Sequence, residues 1–356
     1  MASVGTYSGP IGNAQAPVVQ GAQVWVKHVN GKGGVGGHRV ELVVYDDGGD
    51  PARHRAQVQD AIERRGVIAF LQNSEPISGA GSVEYINQRR VPVIGMSGAE
   101  GWAASSPMYF PQASTGQSLY DAVVAGVAAE WVPQGYTKVG TLVCTEGQAC
   151  PDTEKTFARD AAKFGYEHVY RGKTSLAQPD YTAECLAARS AGAEALFMIL
   201  DANGISRVAS ACARQGYRPR FSAVSAATAV RFKDDPNLDG FIGPSPVFPY
   251  FQSGTLATDE FRAAMRANNV PLSPSGAHGW TAGKLLEKAA AGLSEPPTSE
   301  GLLLGLWSIK NDTLGGLTGP LTFIKDQPAL NPACWYLTGV KNGEWVSPNG
   351  FQLNCR

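Results

Sequence analysis

The sequence predicts an α/β protein of two lobes, each built on a parallel sheet, and three observations lead there. Strand and helix signals alternate almost from the first residue. The same rhythm then runs a second time, and a mostly helical stretch follows Phe248-Pro249-Tyr250, with extended chain near the end. Strands separated by amphipathic helices pair in parallel through right-handed crossovers.

In the first half, residues 3–7 read as a strand ending in the turn Ser8-Gly9-Pro10. Val18, Val19, Ala22, Val26 and Val29 recur at helical spacing with Trp25 beside them, which makes one apolar helix face. Asn30-Gly31 stops that helix, and residues 40–45 (VELVVY) form the next strand. Asp50-Pro51 opens a second helix, with proline where no amide donor is needed. Strands at 67–71 and 91–96 flank a helix at 79–88.

The second run has helices at 117–131, 152–164, 181–191 and 203–215. Between and after them come strands at 138–143 (KVGTLV), 167–170, 195–200 (ALFMIL), 221–224 and 240–243. Helices at 258–267, 277–291 and 299–309 remain, then extended chain at 320–324 and 335–340. Those late helices return to the first lobe, so the chain crosses three times, near 115–119, 246–248 and 322–326. The expected division is residues 1–117 with 248–324, and residues 118–247 with 325–356. Ligands of such sheets sit beyond the carboxyl ends of the strands, and two facing sheets make a cleft that closes by hinge motion.

Composition removes several function classes. Lys plus Arg number 30 against 31 Asp plus Glu, a net charge of -1 without a basic stripe. Phosphate neutralisation needs clustered cations, so nucleic acid is excluded as a main partner. No apolar stretch approaches the roughly 18 residues that span a bilayer. The 43% hydrophobic content is spread evenly, which excludes disorder. The order of the six cysteines favours the local pairs Cys144 with Cys150, Cys185 with Cys212, and Cys334 with Cys355, although other connectivities stay open. A bond to Cys334 would tie down the penultimate residue, Cys355, where a tail otherwise frays. Disulfides place the chain in an oxidising compartment outside the cytoplasm. Its abrupt start is read as the result of an export segment having been removed.

Catalytic motifs fail their context tests. Gly31-Lys32-Gly33-Gly34-Val35-Gly36-Gly37 is similar to a phosphate loop, but it follows a helix and precedes a strand, and Gly37-His38 stands where Lys-Ser/Thr belongs. It reads as a helix terminator and turn. His28, His38, His54, His168 and His278 have no metal spacing and no Gly-x-Ser-x-Gly elbow to serve. His54, between Arg53 and Arg55, reads as part of a charged face, and only His278 lies near an expected crossing. Asp46-Asp47 reads as a turn and capping pair. No catalytic residue, cofactor or metal site is expected.

What remains are polar segments at strand ends. Gln72-Asn73-Ser74-Glu75, Ser97-Gly98-Ala99-Glu100-Gly101-Trp102, Cys144-Thr145-Glu146-Gly147-Gln148 and Asp201-Ala202-Asn203 each present hydroxyl, amide or backbone N–H groups near a helix start. Singly each is helix capping; together they can line a polar cleft.

Several motifs resemble one family. Tyr7-Ser8-Gly9-Pro10-Ile11-Gly12, Gly21, Val29-Asn30-Gly31 with the glycine run after it, Val40-Glu41-Leu42-Val43-Val44-Tyr45-Asp46-Asp47 and Asp50-Pro51 occur in order. Val91-Pro92-Val93-Ile94 and Gly319-Pro320-Leu321-Thr322-Phe323 continue the series. Together they are similar to the leucine/isoleucine/valine-binding proteins, type I periplasmic solute-binding proteins of ABC transporters. The resemblance implies two Rossmann-like lobes, three hinge crossings and no catalysis. It implies that Ser74 and the segment Ser97, Ala99 and Glu100 face a ligand carboxylate. The second-lobe acidic position aligns near Ser225, which is not acidic, and Asp201 is the substitute partner for an ammonium. Glu100 stands where a small hydroxyl is expected, and its charge would repel a ligand carboxylate by several kcal/mol. That turns the expectation away from a standard branched-chain amino acid.

Asn73, Glu75 and Gln148 complete the expected polar lining, with Tyr7, Trp102, Phe248 and Tyr250 as aromatic neighbours and Trp102 as a lid. The expected function is an extracytoplasmic receptor, a monomer, that captures a small polar solute by hinge closure and delivers it to an ABC permease and its ATPase. Membrane contact would come only through the permease or a lipid anchor. The alternatives are a ligand-sensing domain of a signalling system, or a binder of an aromatic or organic acid.

Overall fold

The computed structural model describes residues 1–9, 12–98 and 100–356. In chain order it begins β1 (Ala2–Gly5), α1 (Gly12–Gly31), β2 (Val43–Asp46), α2 (Pro51–Gln59), β3 (Phe70–Asn73), α3 (Val83–Arg89), β4 (Val93–Met96), α4 (Gly101–Ala104) and β5 (Tyr109–Phe110). It continues with α5 (Gln117–Trp131), β6 (Lys138–Cys144), α6 (Ala149–Phe164), β7 (Glu167–Thr174), α7 (Thr182–Ser190), β8 (Ala195–Ile199), α8 (Ala202–Arg214), β9 (Arg220–Ala223) and β10 (Ile242–Ser245). Last come α9 (Leu256–Ala267), α10 (Pro274–Ala289), α11 (Ser299–Ser308), β11 (Cys334–Lys341), β12 (Glu344–Val346), β13 (Pro348–Phe351) and β14 (Asn354–Cys355).

The chain divides into two compact units, Met1–Leu119 with Pro246–Cys334, and Tyr120–Ser245 with Trp335–Arg356. It passes between them three times. Residues 325–334 group with the first unit, because Asn331 Nδ2 donates to the Ala113 carbonyl (3.0 Å) and Ser114 Oγ to the Pro332 carbonyl (2.7 Å).

Unit 1 holds a five-stranded sheet in the order β2-β1-β3-β4-β5, parallel throughout. Unit 2 holds β7-β6-β8-β9-β10 in the same doubly wound order, also parallel, extended by antiparallel β11 and β12. In each, the order reverses beside the first strand, between β1 and β3 and between β6 and β8. Crossovers leave on opposite faces there, which opens a crevice at the strands' carboxyl ends.

Local chemistry starts the helices where the sequence places them. Asp50 caps α2 by accepting from the amides of Ala52 (2.8 Å) and Arg53 (3.1 Å), with Pro51 next. Asp201, Thr255, Ser273 and Thr298 cap α8, α9, α10 and α11 in the same way. Helix α10 is buried along nearly its whole length and lies directly on α1. A Cβ on Gly279 would sit 2.0 Å from the Val18 carbonyl oxygen, so only glycine lets the two backbones approach this closely. His278 on this helix is buried in unit 1, and burial pushes its imidazole down to about 4.

Several boundaries differ from the sequence reading. Residues 40–42 precede the strand rather than begin it, and 67–69 likewise lead into β3. Residues 320–324 form no strand; the only ladder contact there is a bridge between Asp312 and Leu321. Helix α4 and strand β5 are too short to show a period in sequence.

Disulfides join Cys144 to Cys150 and Cys185 to Cys212, the latter pair packed in the unit 2 core. Cys334 and Cys355 are disulfide-bonded as well, so no free thiol remains among the described residues. The Cys185–Cys212 bond closes a separation of 27 residues and Cys144–Cys150 one of 6. In the chain-entropy account, replacing Cys185 and Cys212 by serine is expected to cost about 3–4 kcal/mol, against about 2 kcal/mol for the shorter pair. Urea unfolding midpoints of the two double variants check the ranking.

Candidate functional site

The carboxyl ends of the unit 1 strands carry a connected set of polar side chains. β1 ends at Gly5, where a Cβ would lie 2.5 Å from the Ser74 carbonyl oxygen, so β1 and the segment after β3 touch directly. Thr6 Oγ1 donates to Asp47 Oδ1 (2.8 Å), and Ser78 Oγ to Asp47 Oδ2 (2.7 Å). Asp46 Oδ1 accepts from the amides of Tyr7 (3.0 Å), Ser8 (3.2 Å) and Gly48 (3.0 Å). The acidic pair therefore does the turn and capping work expected of it. Tyr7 turns its hydroxyl to Ser3 Oγ (2.8 Å), and burial raises its phenol far above its ordinary value.

Behind β3 lies a buried ion pair that the sequence reading missed. His54 is fully buried, contrary to its expected place on a charged face, and its Nε2 meets Glu75 Oε2. His54 shares the inward face of α2 with Val58, and Ala61 in the helical turn that continues it lies on the same side, both fully buried; the spacing of 54, 58 and 61 is the signal that Arg53 and Arg55 masked. His54 Nδ1 bonds Ser82 Oγ (2.8 Å), Tyr109 donates its hydroxyl to Glu75 Oε1 (2.9 Å), and Asn73 Nδ2 donates to Glu75 Oε2 (3.3 Å). Asn73 Oδ1 accepts from the Val4 amide (3.0 Å), which ties the group to β1. Burial works against the imidazolium, but the charge and hydrogen bond of Glu75 outweigh it and hold His54 above its ordinary value. Burial, then the Glu75 charge, drives the Tyr109 phenol well up.

Trp102, on α4, is half-buried and meets Tyr109 edge-on, centroids 5.8 Å apart. A Cβ on Gly79 would come within 2.6 Å of both Trp102 and Glu75, so the indole lies close over this pair. Ser74 Oγ donates to Gln15 Oε1 (2.7 Å), and Ser97 Oγ to Glu100 Oε1 (2.6 Å). Ala99 lies outside the described residues. Unit 1 thus gathers Tyr7, Asn73, Ser74, Glu75, Ser97, Glu100 and Trp102 at one end of its sheet. Gln72, at the end of β3, is wholly buried with a φ of 53°, and both atoms of its amide lack a partner.

Phe248 does not join them. It is 1% exposed, its ring meets Phe261 edge-on at 5.1 Å, and its amide bonds the Leu317 carbonyl (2.9 Å), which makes it core.

In unit 2, Asp201 Oδ1 accepts from the Gly204 amide (2.9 Å) as the α8 cap. Gln148 precedes α6 and donates to Asp152 Oδ1 (2.9 Å). Ser225 follows β9; it is 2% exposed and its hydroxyl is unpartnered. All three stand at the carboxyl-end side of the unit 2 sheet. Among the described residues no cluster of three or more His, Cys, Asp or Glu could hold a metal, and no helix is long and apolar enough to cross a membrane.

Residues 1–344 match a family model described as "Periplasmic binding protein". No curated protein matches the chain. A branched chain amino acid ABC transporter structure from Thermus thermophilus with bound valine is 18% identical, with a TM-score of 0.82 over 98% of this chain and 94% of that one. A solute binding protein of an ABC transporter from R. palustris, in complex with benzoate, is 14% identical, with a TM-score of 0.79 over 100% and 96%. A fatty acid ABC transporter substrate-binding protein from Thermomonospora curvata is 19% identical, with a TM-score of 0.79 over 97% and 90%. At these identities the likeness is one of fold.

The buried pair has a stability signature. His54 titrates higher when folded than its unfolded value near 6.5, so its contribution is complete below that pH and is lost as pH rises through the folded value. Glu75→Gln is expected to destabilise the protein by about 3 kcal/mol at about pH 6, and the gap to the unaltered chain narrows toward about pH 9. Urea denaturation at both pH values measures this.

Proposed function

Because the chain belongs to the periplasmic binding protein family, we propose that it is the extracytoplasmic receptor of an ABC importer, binding a small polar solute such as an amino acid or a related acid. The observation that carries the reading is the repeated doubly wound order, with hydroxyl, amide and carboxylate groups at the carboxyl ends of the strands in both units. Those groups suit reversible capture, because they donate and accept hydrogen bonds. Unit 1 offers Ser74, Ser97 and Glu100; unit 2 offers Gln148, Asp201 and Ser225. A permease with its ATPase receives the captured solute.

A second reading, an aromatic or organic acid as solute, is favoured by Trp102 and Tyr109, whose edge-on pair stands beside the polar group at the end of β3. The neighbours with bound valine and with benzoate support both solute classes.

Thermal shift across amino acids and aromatic and aliphatic acids tests the proposal. A true ligand at about 100 times its Kd adds about 2.7 kcal/mol of stability. Ser74→Ala and Asp201→Ala are each expected to weaken that ligand about tenfold, through the loss of a hydrogen bond to a charged group. A library without a stabilising compound, or two variants with unchanged affinity, would sink the reading.

A further inference from the structure

Unit 2 contains a cavity of about 410 Å³ away from its carboxyl-end loops, within the size range of small-molecule sites. Its wall is formed where Arg220 opens β9, Ile242 opens β10 and Lys341 closes the antiparallel β11, at the amino edge of the parallel strands. Ser225 lies five residues further along from Arg220, roughly 15 Å away at about 3.3 Å per residue. The strand-end groups assigned above take no part in it.

Three features make this a built site. Tyr136 accepts a hydrogen bond from Arg220 Nε (2.9 Å), and its ring lies under the guanidinium, 5.2 Å from centroid to Cζ. That fixes Arg220 while leaving its two terminal nitrogens without a carboxylate partner among the described residues. Gly240, at φ 82°, makes room for the fork: a Cβ there would lie 2.0 Å from Arg220 Nη1. Trp131, also on the wall, is 1% exposed, and its indole N–H has no acceptor.

The positioned donor decides the ligand class. Glu130 and Asp239 on the wall are balanced in formal charge by Arg220 and Lys341; Glu130 accepts from Gln134 Nε2 (2.6 Å) and Asp239 from the Asn342 amide (2.7 Å), and Arg220, held by Tyr136, has its terminal N–H groups to give. Phe241, Ile242 and Val340 supply apolar wall. A planar fork of N–H donors matches a carboxylate. We propose that this cavity is a second binding site, for a small carboxylate with an apolar body, separate from the site at the strand carboxyl ends.

Benzoate is the probe, with benzylamine as the cationic control, and the readout is the Trp131 indole N–H resonance, identified among the seven tryptophans by its loss in Trp131→Phe. Benzoate is expected to move that resonance saturably and benzylamine to leave it in place. Arg220→Gln is expected to weaken the effect about tenfold or more, with circular dichroism unchanged. Arg220→Lys keeps the charge without the fork and falls between the two. A resonance that benzoate does not move overturns the site. So does unaltered affinity in Arg220→Gln or, should that variant fail to fold, in Arg220→Lys. Loss of the effect in Ser74→Ala, with Arg220 intact, assigns benzoate to the other site and overturns this one.

Discussion

A parallel sheet can be joined only by crossovers, and those crossovers cover both of its faces. The strand ends are then the places where polar side chains reach solvent without breaking a ladder. Each unit of this protein obeys that constraint with the same strand order, so each has one reversal point and one polar rim above it. Tyr7 and Ser74 stand at the first reversal; Gln148 and Asp201 stand at the second. The late helices α9, α10 and α11 complete the cover of unit 1, and glycine at 279 lets α10 press against α1 with backbone touching backbone.

Beneath the unit 1 rim, the His54–Glu75 pair acts as a foundation. A lone buried carboxylate would be costly, and here a histidine, a tyrosine and an asparagine satisfy it. The network joins α2, β3 and β5, so residues far apart in the chain are fixed relative to one another. Trp102 rests against this rigid base. Glu75 therefore anchors the end of β3 to α2 and β5.

Much of the architecture was legible because it is written in local patterns. The period of Val18, Val19, Ala22 and Val29, the Asp50-Pro51 cap and the apolar run at 195–200 need no knowledge of the rest of the fold. The local cysteine pairs were legible for the same reason. Strand starts were not: Val40 reads as strand, yet its backbone N–H and C=O are taken by the Asn30 side-chain amide rather than by a neighbouring strand. His54 was obscured by its charged neighbours, and its partner lies 21 residues away, beyond any local window. Phe248 shows the reverse failure: proximity to a crossing suggested exposure, and only the ring of Phe261 reveals that it is interior. The cavity at Arg220 had no sequence signature at all, because its walls come from the beginnings of two strands and the end of a third.

The bond between Cys144 and Cys150 encloses the segment that carries Thr145, Glu146 and Gln148 in a small covalent ring. So short a hoop leaves its backbone few shapes to explore, whether or not a guest is present. Order that an open loop would have to acquire is already in place where β6 hands over to α6. Reduction would remove that constraint and turn the hoop into a slack tether.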